Sequence, residues 1–158
     1  MPVSKQVYYP ISLIEVMIPK DISAGEAKSR ILQMLKKNPN VLFATFGETY
    51  PDIRVLVVTA NDETDVLWFA TETESAKIAQ LRNNPKAVIY AYDAEPMSEF
   101  RLFGSVELLN DSAARQKVWQ DDFVEHWPDG IDSPAMTVLR FNTDNGVYSN
   151  YEEIGHFC

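Results

Sequence analysis

The run WFATETESAKIAQLRNNP (68–85) carries three hydroxyl residues and a lysine where an extended segment turns into a helix. A helix start offers unpaired amides and a partial positive charge. Thr71, Thr73 and Ser75 add hydroxyl donors there, and Lys77 adds a full charge in the first turn or two. Together they could hold a phosphate. Arg54, opening the strand-like run RVLVVTA (54–60), could supply a second cation to the same anion. The same residues also read as a capped surface helix. Thr71 and Glu74 have capping-box spacing, Glu72 and Glu74 would repel a phosphate, and Arg54 would then be a solvent-facing strand end.

Other constellations carry less chemistry. His156 and Cys158 are two residues apart on what reads as a frayed tail, short of a closed metal site. No metal site is expected. His126 reads as a helix-end residue, and Asp121, Asp122 and Glu125 as a solvated helix face. Trp119, Phe123 and Trp127 recur at four-residue spacing and read as a core stripe. Their second reading is an apolar wall over a ring-shaped ligand or a subunit contact. There is no GxSxG, P-loop or paired CxxC.

The elements that would position these groups are mostly strands. Ser23 and Glu26 form a capping box ahead of a helix with Ala27, Ile31, Met34 and Leu35 on one face, stopped by Asn38-Pro39. Short apolar runs follow at 41–46, 54–60 and 66–71, joined by turns that allow only antiparallel neighbours. A helix over about 73–83 stops at Asn84-Pro85. Strands are expected at 87–93 and 100–109, with a bulge or close approach at Gly104. Asp111 caps a second long helix carrying the aromatic stripe. MTVLRFN (136–142) and VYSNY (147–151) read as two final strands. Six or seven short strands with small helices between them favour an antiparallel barrel, because closure removes edges. A parallel nucleotide fold needs a helix after nearly every strand.

The 158 residues fit one domain, 1–158, with an ordinary 46% hydrophobic and 23% charged content. Acids outnumber bases 23 to 14, which argues against nucleic acid and anionic membrane as partners. One cysteine cannot build a disulfide framework, so a reducing, cytoplasmic setting is expected. The N-terminal apolar run ISLIEVMI is short and interrupted by Glu15, so neither a secretory signal nor a membrane span is expected.

Several segments resemble one family. RVLVVT (54–59) is similar to the arginine-led strand of pyridoxamine phosphate oxidases. FATETESAKIAQLRNNPKAVIYAY (69–92) resembles their next strand, phosphate-binding turn and helix, down to the NNP stop. GSVE (104–107), a tryptophan-rich helix and WPDGIDSP (127–134) resemble the short general stress protein 26 type. The resemblance covers about residues 28 to 150.

It implies a mainly β (α+β) fold, a six- to seven-stranded antiparallel split β-barrel with peripheral helices. It further implies a homodimer with FMN at the subunit interface. Carried over by position, Arg54, Ser75 and Lys77 hold the phosphate. Val55, Leu56, Val57 and Val58 run beside the isoalloxazine ring, with Ala70 and Thr71 near it.

The chain departs from the oxidases at four places. Thr59 stands for a lysine, Ala76 for a second basic residue and Glu99 for a glutamine. The C-terminal segment with its tryptophan and arginine is missing, which argues against pyridoxine-phosphate oxidase activity. The function implied is an FMN-dependent oxidoreductase of unassigned substrate and electron donor. Two alternatives are a non-catalytic flavin or stress-related binding protein, and a barrel holding haem or a deazaflavin.

Overall fold

The computed structural model describes residues 18–158. Most of ISLIEVMI lies outside that span. The first helix, α1 (Ala24–Lys37), starts at Ser23, whose side chain accepts from the Glu26 amide while the Glu26 carboxylate accepts from Ser23 N–H. Its buried face is Ala27, Ile31 and Leu35, three positions of the stripe read from the sequence.

Nine strands form one mixed sheet among the described residues: β1 (Lys20–Asp21), β2 (Asn40–Phe46), β3 (Pro51–Val57), β4 (Ala60–Asp62), β5 (Val66–Glu72), β6 (Lys86–Asp93), β7 (Ser98–Leu109), β8 (Met136–Ser149) and β9 (Glu153–Phe157). Their hydrogen-bonded order is β1-β9-β8-β7-β6-β2-β3, with β5 on β8 and β4 on β5. The helices α2 (Ala76–Asn83) and α3 (Ser112–Val118) complete the chain with a short 3₁₀ turn over Asp121–Glu125.

The strand count exceeds the expected six or seven for three reasons, one of them the unexpected two-residue β1. The 54–60 run is not one strand: it ends at Val57, and β4 begins at Ala60. The expected frayed tail is β9, paired with β8 and, in parallel, with β1. In the other direction, MTVLRFN and VYSNY merge into the single 14-residue β8. That length lets one edge of β8 serve two neighbours. Met136 to Asn142 pair with β5, and Gly146 to Ser149 pair with β9.

Gly104 is the expected irregularity. Phe103 pairs with Asn145 and Gly104 with Thr143, so Asp144 is the extra residue. A side chain at Gly104 would collide with the Asn142 carbonyl and the Phe141 ring. Inside the sheet, Phe43 meets Phe69 and Phe141 edge to face at 5.3 and 6.3 Å. Such pairs add to the burial energy of the rings.

The second long helix does not form. α3 ends at Val118, and Trp119 is already extended. No proline or glycine causes this break. Ala114 and Val118 pack on Val138, and the chain then turns so that its aromatic residues leave the helix axis. Among the described residues, no helix is long and apolar enough to cross a membrane.

Candidate functional site

β3 and β5 face one another without pairing, because β3 bonds only to β2 and β5 to β4 and β8. Between them lies a groove of about 390 Å³. Val55, Leu56 and Val57 form one side, and Ala70, Thr71 and Glu72 the other. Phe123, His126 and Trp127 make the outer wall. The volume is within the range of small-molecule sites, roughly 300–1,000 Å³.

The structure thus gathers five of the expected ring-contact residues: Val55, Leu56, Val57, Ala70 and Thr71. Val58 is an exception, because it turns into the core and its N–H donates to the Pro39 carbonyl. The phosphate candidates stand beside the groove. Lys77 Nζ donates to Thr71 Oγ1 at 2.9 Å. Burial, then the charge of Arg54, pushes the Lys77 ammonium below the ordinary lysine range, against the pull of Glu72 and Asp52. Ser75 is the N-cap of α2, yet its hydroxyl donates backward to the Glu72 carbonyl. No side chain caps α2, so the Thr71–Glu74 capping box does not form and Thr71 remains on β5.

Arg54 is less free than the sequence suggests. Its Nη2 meets Asp52 Oδ2 at 2.6 Å and Gln80 Oε1 at 3.1 Å, and its Nη1 donates to Thr45 Oγ1 at 2.6 Å. Gln80 Nε2 closes the network on Asp52 at 2.9 Å. That bond comes first among the influences holding the Asp52 carboxyl below its usual range, and Arg54 adds to it.

The sequence offers the outer wall only as a second reading; His126 is the helix-end residue it reads as, closing the 3₁₀ turn, and it also lines the groove. The four-residue spacing of Trp119, Phe123 and Trp127 was the available signal. The rings do stack edge to face, at 5.9 and 5.4 Å, but from an extended residue and a 3₁₀ turn. His156 is exposed on β9, and no group of three or more metal-ligating side chains comes together among the described residues.

Arg115 is the residue that no sequence signal revealed. It is 7% exposed, and all its acceptors are backbone carbonyls: Asn110, Ile131, Ser133 and Met136, at 2.7–3.1 Å. It therefore ties α3 to the loop that follows Trp127. Arg115→Met orphans these carbonyls, and hydrogen bonds to charged groups are worth about 1.5–3 kcal/mol each before rearrangement. A stability loss of roughly 2–4 kcal/mol in urea unfolding is expected. An unchanged midpoint would show that the loop does not depend on this clamp.

A family model described as pyridoxamine 5'-phosphate oxidase like matches residues 26–154. The chain belongs to that family. Its split between β3 and β5 is therefore a feature of a pyridoxamine 5'-phosphate oxidase-like split barrel. None of the curated proteins matches the chain.

Among solved structures, a Clostridium acetobutylicum protein related to general stress protein 26 of Bacillus subtilis has a TM-score of 0.75 and 27% identity. That match covers 82% of this chain and 92% of the other. A Nostoc punctiforme pyridoxamine 5'-phosphate oxidase-related, FMN binding protein has a TM-score of 0.61 at 22% identity, over 76% and 82%. A heme binding protein from Mycobacterium smegmatis has a TM-score of 0.64 at 16% identity, over 83% and 57%. The last two are alike in fold alone.

Proposed function

We propose that this chain is a homodimeric FMN-binding flavoprotein acting as an oxidoreductase. The observation that carries the reading is the Lys77 ammonium, half-buried, bonded to Thr71 of the groove wall at 2.9 Å and repelled by Arg54. A cation held at a cost to itself is well placed to receive an anion, and a phosphate would relieve both burial and repulsion. The free amides of α2 point to the same use. Arg54 contributes through its network, and Ser75 through the α2 start. The apolar walls suit a flat ring, with Val55 to Val57 and Ala70 along its faces. The FMN binding of the Nostoc protein agrees with this assignment.

The flavin supplies the hydride chemistry when bound. The chain's own residues bind the phosphate, orient the ring and exclude water. His126 is the one imidazole on the groove wall.

Fluorescence quenching is expected to show FMN binding at least tenfold tighter than riboflavin, because the phosphate contacts are charge-assisted. The preference is expected to fall as pH rises through the lowered Lys77 range, before an ordinary lysine titrates, since the phosphate needs the protonated amine. Equal affinities for the two flavins would overturn the phosphate assignment.

Haem is the second reading. It is favoured by His126, whose imidazole could ligate iron from the groove wall, and by the heme binding protein of the same fold. The visible spectrum of the purified protein separates flavin from haem.

A further inference from the structure

We infer that the indole N–H of Trp127 anchors the ring bound in the groove, donating to a carbonyl or imine acceptor on the edge of a flavin. This rests on the FMN reading. Trp127 is only 6% exposed, and its ring is held edge to face by Phe123 at 5.4 Å and His126 at 6.0 Å. It lines the groove, yet its Nε1 is out of reach of solvent and has no hydrogen-bond partner. Trp68 shows the ordinary case, donating to Asp62 Oδ2 at 3.0 Å.

Buried donors are almost always paired, so an orphan beside a groove marks a place for an acceptor. Thr59, Thr71, Glu72 and His126 on the groove wall carry acceptors, but none is within hydrogen-bond reach of this N–H, and the Val55, Leu56, Val57 and Ala70 side chains carry none. An occupant that brings its own acceptor would engage the N–H once the indole turns toward the groove. A flavin carries carbonyl and imine acceptors along one edge of its ring system. A porphyrin rim is apolar apart from its two carboxylates. Trp127 thereby selects a heteroaromatic ring with edge acceptors over a porphyrin.

The test is Trp127→Phe, which keeps an aromatic ring and removes the donor. FMN and riboflavin are both titrated against the wild type and this variant, and the thermal midpoint of each flavin-free protein is recorded. Affinity for both flavins is expected to fall about tenfold, because the contact is to the ring and not the phosphate. The flavin-free midpoint is expected to hold or rise, because the variant sheds an unpaired buried donor.

In the wild type, one of the three indole N–H resonances, the one absent from the variant, is expected to move downfield on FMN addition. Unchanged affinity, a midpoint falling together with affinity, or a static resonance would each overturn the inference. If the variant does not fold, the wild-type resonance decides. A wild type that binds neither flavin fails the FMN reading itself and takes this inference with it. A wild type that binds FMN alongside an indifferent variant fails only the inference.

Discussion

Lys77→Met is expected to weaken FMN binding about tenfold or more and to leave riboflavin binding unchanged. The loss is that of one charge-assisted contact, about 1.5–3 kcal/mol. Methionine keeps most of the stem packing, so the comparison isolates the ammonium. The flavin-free variant is also expected to be no less stable than the wild type. In the folded chain, burial and Arg54 lower the Lys77 proton affinity, so between that range and the ordinary lysine range the unfolded chain binds more protons. Stability without ligand therefore rises with pH across that window, and at neutral pH the charged amine opposes folding.

Arg54→Ala is expected to weaken FMN binding by a similar factor, with a different signature. Its guanidinium joins β3 to Thr45 of β2, Gln80 of α2 and Asp52, so this variant is expected to lose stability as well. If both variants titrate FMN like the wild type, the phosphate lies elsewhere.

The legible parts of this fold are those whose signals are local. Ser23 and Glu26 announce α1 because a capping box involves only four residues. The short apolar runs at 41–46, 66–71 and 87–93, bounded by turn residues, mark strands within one or two residues of those observed, because β-rich runs of that length between turns have few other uses. Gly104 is legible because a strand interior has few other uses for glycine.

The illegible parts depend on distant partners. Val58 and Thr59 end β3 because their N–H groups bond to Pro39 and Trp68, which no window around residue 58 contains. The aromatic stripe follows helical spacing, yet its chain leaves the helix at Trp119. Arg115, one charge among many in composition, is fixed by four carbonyls spread over residues 110–136. Of the groove, the two strands were readable from their order and spacing. The third wall was not, because a 3₁₀ turn at four-residue spacing looks like a helix until its packing is known.

Phe103→Glu is expected to convert a dimer of about twice the 18.0 kDa chain mass into monomers, and to release FMN although Phe103 does not line the groove. The register explains why this residue matters. Ile53 pairs with Ala44, Ala44 with Val88 and Val88 with Phe103, so four apolar side chains cross β3, β2, β6 and β7 in one outward row. The next row is Val55, Leu42, Tyr90 and Arg101, with the Tyr90 hydroxyl donating to Glu99 Oε2 at 3.0 Å.

Ile53 and Val55 are each 59% exposed, a poor state for β-branched side chains on one contiguous face. A second copy related by a two-fold axis would cover both rows at once. The face runs directly into the groove, because Val55 and Val57 belong to both. A flavin lying along β3 would then have one side against its own chain and the other beneath the partner.

A glutamate at position 103 places an unpaired carboxylate in that contact on each chain. Stranding a charge in an interface costs about 3–5 kcal/mol, or roughly a hundredfold or more in dimer affinity. Light scattering with flavin absorbance reads both outcomes together. A wild-type monomer holding one FMN per chain would refute the shared site. A Phe103→Glu monomer that keeps its FMN would leave the dimer standing and return the whole flavin site to a single chain.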